Sequence, residues 1–272
     1  MNPNNPFLAY VETLRSVTRD ARGIAFEGGF RTGAQGPTVL LFSPHPDDEC
    51  ITGLLPLRLM RECGYRIINV PVTFGSDAAR RQARLAELRA ACDWLGWEVH
   101  LADETLAPLD APQIGAALAQ FQPAYIFLPH AKDWNSTHLR VHRTVMEALA
   151  SMPPDFSCRV VETEFWGAMD DPNVMVEGDA ATVADLVAAT ALHTGEVARN
   201  PYHLHLPAWM QDNVRRGTER IGGQGSAAPD FDFATLYRIR SWEHGALVAC
   251  LPRGLFLSAT ETPSFHPSSS PR

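Results

Sequence analysis

Residues Thr38 to Cys50 read TVLLFSPHPDDEC, and this stretch decides the fold. Thr38 to Phe42 is an unbroken apolar run of strand length, rich in β-branched and aromatic residues. Ser43-Pro44-His45-Pro46-Asp47-Asp48-Glu49 follows at once, with one imidazole and three carboxylates within five positions. Charge crowded into a strand-to-loop turn is costly unless something positive sits among the carboxylates, and a divalent metal ion is an economical answer.

Outward from this strand the chain alternates. Strands are expected over Thr38–Phe42, Arg66–Phe74, Glu98–Leu101, Ala124–Leu128 and Arg159–Trp166. Helices are expected at Gly53–Cys63, Asp77–Leu95, Gln113–Phe121, His138–Ala150 and Asp179–Leu192. Gly64 and Gly96 stand where the first two should stop, and Asp77 where the second should be capped. Residues 7–22, with apolar Leu8, Val11, Leu14 and Val17, read as a further, N-terminal helix. Alternation of this kind predicts an α/β, Rossmann-like fold, with a mainly parallel sheet and helices on both faces. Residues 1–178 would form this core. Residues 179–257 would add a helix and a small irregular lid, because 203–237 is rich in Gly, Pro and aromatics. Residues 258–272 would be a flexible tail.

In such a sheet, ligands bind beyond the carboxyl ends of the strands. The acidic cluster, the Gly75-Ser76-Asp77 turn and the loop His130-Ala131-Lys132-Asp133 each follow a strand, so they should share one edge. His45 and Asp48, three apart, can face one point. His138 and His142, four apart on a helix, offer an imidazole as the third ligand. Three protein ligands with open positions for water are the mark of a catalytic rather than a structural zinc site. Asp47 is placed to take a proton from water there. The bland reading of the Asp-Asp-Glu run is a solvated helix start. His130 reads as rim or filler, His203 and His205 as lid or surface packing, and Cys50 as core.

The motif Pro44-His45-Pro46-Asp47-Asp48-Glu49 resembles the signature of the PIG-L/LmbE-like zinc N-deacetylases. Arg84-x-x-Glu87 with Leu95-Gly96, Glu164-Phe165-Trp166 and Ala191-Leu192-His193 are similar to further motifs of that family, so the resemblance spans about Thr38 to Tyr202. It implies zinc-dependent removal of an acetyl or related acyl group from an amino-sugar conjugate. His45 and Asp48 would be metal ligands and Asp47 the general base. The family's D-x-H-P-D-H pattern meets Asp133-Trp134-Asn135-Ser136-Thr137-His138 here. That spacing makes His138 the third ligand, Asp133 its orienting partner, and puts Asn135 where the family has a second His. A shifted alignment would make His142 the ligand and His138 its helper. With His138 as the ligand, Asn135, His142 or His193 would assist the oxyanion or donate a proton, and Arg84 would contact substrate. Arg80 and Arg81 read more readily as a solvated helix face. Iron or another divalent ion suits the same ligands. Hydrolysis of a non-sugar amide, or metal or sugar binding without catalysis, are the alternatives.

Bulk properties narrow the partners. A net charge of −8 gives nucleic acid and anionic lipid no basic surface to meet. Five scattered cysteines without a C-x-x-C argue against a disulfide framework, and no apolar window reaches membrane-spanning length. A cytoplasmic protein acting on a small molecule is expected, with the oligomeric state open and a homo-oligomer included.

Overall fold

The computed structural model describes residues 5–265. In chain order the elements are α1 (Leu8–Ala21), β1 (Thr38–Ser43), α2 (Asp48–Ile51), α3 (Leu54–Cys63), β2 (Arg66–Pro71), α4 (Arg81–Leu95), β3 (Glu98–Val99), α5 (Ala111–Phe121), β4 (Tyr125–Pro129), α6 (Ser136–Ala150), β5 (Cys158–Thr163), β6 (Val174–Glu177), α7 (Ala180–Ala191), α8 (Thr194–Arg199), α9 (Leu206–Gly222), β7 (Ala234–Glu243), β8 (Ala246–Ala249) and β9 (Leu255–Leu257). One sheet runs β3-β2-β1-β4-β5-β7-β6-β9, with β8 paired to β7. Its first five strands are parallel, and β1 pairs with both β2 and β4.

Strand β1 shows why helices cover both faces. Val39 and Leu41 join the core beneath α3, α4 and α7, whereas Leu40 and Phe42 join the one beneath α5 and α6. A strand buried on both sides needs an unbroken apolar run, which is what Thr38–Phe42 supplies. Gly64 and Gly96 close α3 and α4 at φ 74°, a left-handed conformation that glycine adopts without strain. The chain crosses over at β1, leaving for β2 on one side and β4 on the other. The crevice between the ends of β1 and β4 is therefore the topological switch point.

Two expectations need correction. The region expected to be irregular, 203–237, contains the 17-residue α9 and the start of β7. Strand β7 inserts antiparallel between β5 and β6, so this region completes the sheet instead of forming a lid. Its register puts Glu162 opposite Arg238. Glu162, fully buried, accepts from Arg238 Nε and Nη2 at 2.6 and 2.8 Å and from Arg240 Nη2 at 2.6 Å. Glu162→Ala would leave Arg240 without a carboxylate and Arg238 with only the exposed Asp171, and should cost about 3 kcal/mol in urea unfolding. The tail is also corrected over its described part. Phe265 is fully buried against Tyr125, and its carbonyl accepts from Arg159 Nε at 3.0 Å. Residues 266–272 lie outside the described residues. Helix α1 forms as expected but buries no side chain, and Leu8, Val11, Leu14 and Val17 stay exposed.

No helix among the described residues is long and apolar enough to cross a membrane.

Candidate active site

The chain leaves β1 through two prolines and turns at Asp47, whose φ of 124° is unusual for a non-glycine residue. That turn sends three consecutive buried carboxylates in three directions. Asp48 Oδ2 accepts from the backbone N–H of His45 at 2.9 Å and lies 3.3 Å from His45 Nδ1 and 3.4 Å from His138 Nε2. Its Oδ1 accepts from the Trp166 indole at 3.2 Å. Asp47 Oδ2 accepts from the Tyr202 hydroxyl. Glu49 Oε1 is 2.8 Å from His193 Nε2, and Glu49 Oε2 accepts from the Asp47 backbone N–H at 2.9 Å.

The second segment is built to aim one histidine. Asn135 caps α6 by accepting from the Thr137 N–H at 2.9 Å. Asp133 Oδ1 accepts from the Asn135 N–H at 2.8 Å, and Asp133 Oδ2 lies 3.0 Å from His138 Nδ1. This fixes the first turn of α6 and directs His138 toward the β1 loop. His142, one turn further, goes elsewhere. Its Nδ1 lies 2.9 Å from the Pro129 carbonyl and 3.8 Å from Glu162. Of the two candidate third ligands, the structure brings only His138 to His45 and Asp48.

The donor atoms of His45, Asp48 and His138 lie within 4.8 Å of one another. With Nδ1–H committed to Asp133, the Nε2 lone pair of His138 is buried with no hydrogen-bond partner among the described residues. Burial disfavours a charged imidazole, yet Asp48 and Asp133 overcome this and push His138 up to about 10. Burial likewise opposes the Asp48 carboxylate, but His138 and His45 hold it well below the ordinary range. The site therefore demands a positive charge between these groups, and two imidazoles with one carboxylate fit a divalent ion. The Asp133 contact is the support that a metal-ligating histidine requires.

A second group, Glu49, Cys50 and His193, is also close enough to hold an ion. It is fully buried, and Glu49 and His193 already satisfy each other. Burial and Glu49 push the Cys50 thiol well above its usual range, in keeping with a core residue. His130 Nε2 lies 3.0 Å from the Gly167 carbonyl, and the ring is buried, which makes it a filler and not a rim residue.

Asp47 is the carboxylate facing open space. Burial first, then the neighbouring Asp48, push it up to about 8, while His193 and the Tyr202 hydroxyl pull it down. Tyr202 was not singled out by the sequence. It lies 155 residues from Asp47 in a short 3-10 turn, Tyr202–His205, where no periodicity marks it. A cleft of about 570 Å³ opens beside His45 and Asp47. Arg80, Arg84 and Arg199 line it around Glu196, with the exposed Trp134 and Asn135 at its other side. Arg84 is largely enclosed. Its guanidinium reaches the Phe74 and Pro46 carbonyls at 3.3 and 3.4 Å and Glu196 at 3.5 Å. A Cβ at Gly75 would collide with Arg84 Nη1, so glycine is needed there for Arg84 to tie the two loops.

Residues 40–149 match the family model described as PIG-L, GlcNAc-PI de-N-acetylase. This segment is similar to the PIG-L family. The match contains every residue of the His45-Asp48-His138 group together with Asp47, Asp133 and Asn135. Solved structures extend the likeness beyond it. A conserved protein of Thermus thermophilus is 17% identical, with a TM-score of 0.56 over 75% of this chain and 94% of its own. The 4-carboxy-2-hydroxymuconate hydratase GalB of Pseudomonas putida is 19% identical, also at 0.56, over 75% and 96%. The N,N'-diacetylchitobiose deacetylase of Pyrococcus horikoshii is 16% identical at 0.56, over 90% and 95%. Identities this low establish the shared fold. No curated protein matches the chain.

Proposed function

We propose that this chain is a PIG-L family member and a metal-dependent hydrolase that removes an acetyl group from the nitrogen of an amino-sugar conjugate. The observation that carries the reading is the unpartnered Nε2 of His138, aimed at Asp48 and His45 beside the carboxylate of Asp47 at the head of a cleft. The PIG-L match and the likeness to the diacetylchitobiose deacetylase supply the substrate class.

His45, Asp48 and His138 would hold a divalent ion, which supplies Lewis acidity toward water and the amide carbonyl. Asp47 takes the proton from the attacking water as its oxygen bonds to the carbonyl carbon. Asn135 is placed to steady the oxyanion that results. The residue lines the cleft, and with its Oδ1 committed to the Thr137 N–H the group it would offer an oxyanion is the Nδ2 amide. Asp47 then returns its proton to the amide nitrogen as the C–N bond breaks, giving acetate and a primary amine. His193 is sealed in the core on Glu49, and His142 is held at Pro129, so neither shares this work. The exposed face of Trp134, whose indole N–H is anchored on the Trp166 carbonyl at 2.7 Å, offers a sugar ring an apolar platform.

Incubating zinc-loaded protein with a panel of N-acetylated sugars and glycoconjugates should release acetate and primary amine in equal amounts. A folded, metal-loaded protein that frees no acetate from any of them would overturn the reading.

Tyr202→Phe tests the base more finely. Asp47 must be ionised to accept a proton, so activity falls as pH drops through its pKa. The Tyr202 hydroxyl stabilises the ionised form. Its loss should move the acid limb of the kcat/KM profile to higher pH and slow turnover near neutrality roughly tenfold. An unmoved acid limb would separate Tyr202 from the base.

A further inference from the structure

Helix α1 has the sequence of a packed helix and the surroundings of a solvated one. Phe7, Tyr10, Leu14, Val17, Ala21 and Ile24 recur at intervals that alternate three and four. That is the seam of a helix that lies along another helix. Among the described residues α1 buries no side chain, and Leu14 is 50%, Val17 59% and Ile24 74% exposed. A 14-residue helix is marginal by itself, so this face needs a cover. The seam does not end with the helix. Ala21 and Ile24 open onto an apolar cavity of about 420 Å³, walled by Val183 and Val187 of α7 and by Leu204 and Pro207.

We infer that the cover is α1 of a second copy of this chain, the two helices running antiparallel in a homodimer. In that arrangement Phe7 stacks over Ile24 of the second copy, Tyr10 over its Ala21, and Leu14 over its Val17. The largest seam residue thus meets the smallest, and Phe7 reaches the mouth of the apolar cavity. Complete cover of the exposed seam side chains, with Val11 beside them, would bury at most roughly 1,200 Å² over both copies, taking ~150–250 Å² for a fully buried aromatic and less for Val, Leu and Ile. That clears the ~1,000 Å² expected of a specific interface. Charge selects against a membrane as the cover. Within α1, Arg15 and Arg19 are balanced by Glu12 and Asp20, and the chain carries −8 overall, so anionic lipid is not attracted.

Sedimentation velocity of the full chain over the micromolar range tests this. A dimer is expected for the natural sequence. Leu14→Glu and Val17→Glu should each raise the dimer dissociation constant at least tenfold, while Arg15→Glu on the polar face leaves it within about twofold. Circular dichroism should lose no more than the helical signal of α1 in the two seam variants and nothing in Arg15→Glu, because these side chains make no buried contact with the rest of their own copy. A chain that is monomeric throughout, or a dimer indifferent to both seam substitutions, would overturn the proposal. So would a monomer that floats with phosphatidylcholine vesicles through the same face.

Discussion

Asp47→Asn is expected to lower the turnover of deacetylation by about 10²–10⁴-fold, the range for loss of a positioned general base, while the protein keeps its metal. The substitution is nearly isosteric. Asparagine tolerates positive φ better than most residues, so the turn at φ 124° should survive. Its amide oxygen can still accept from the Tyr202 hydroxyl, and the backbone N–H of residue 47 still meets Glu49. What is lost is the ability to take a proton. The metal should stay, because its proposed ligands are His45, Asp48 and His138, and Asp48 loses an adjacent like charge. The melting temperature should hold or rise, since one of three buried carboxylates is neutralised. Near-normal turnover, with metal content verified by elemental analysis, would sink the mechanism.

The parts of this molecule that were legible in sequence are those written in local pattern. TVLLF gives β1 because both of its faces are covered, and Gly64 and Gly96 stop helices because the stop needs a left-handed residue. The cluster at His45–Glu49 pointed to a site, since unpaired charges at a strand end need a reason. The insertion of β7 was not legible. Its residues, ATLYRIRSWE, mix apolar and arginine positions, and the arginines become intelligible only when Glu162 stands opposite them. Tyr202 was missed for the same reason, because its meaning lies in a contact with Asp47 across the fold. The outward face of α1 was hidden too. An apolar stripe tells that a helix is covered, but not whether its own chain does the covering.

His138→Ala should lose the metal, whereas His142→Ala should retain it near stoichiometry. The sequence offered both, one helical turn apart, and an alignment shifted by four residues exchanged their roles. The difference lies in what each ring already has. His142 places Nδ1 at the Pro129 carbonyl and sits beside Glu162, so its removal disturbs the end of β4 and leaves the proposed ligand group whole. His138 has Nδ1 on Asp133 and an unmatched Nε2 facing Asp48. Alanine there removes one of three donors and exposes Asp48 to an uncompensated burial. Asp133→Asn grades the argument. It keeps the ligand and weakens only its orientation, so metal affinity should fall by roughly 10–100-fold, the range for loss of a ligand's supporting partner. The deletion of His138 itself should exceed that. Elemental analysis after gel filtration, followed by a competition titration with a chelator, ranks the three variants. Equal metal content in His138→Ala and His142→Ala would remove His138 from the site and, with it, the reason that Asp133, Asn135 and the first turn of α6 are built as they are.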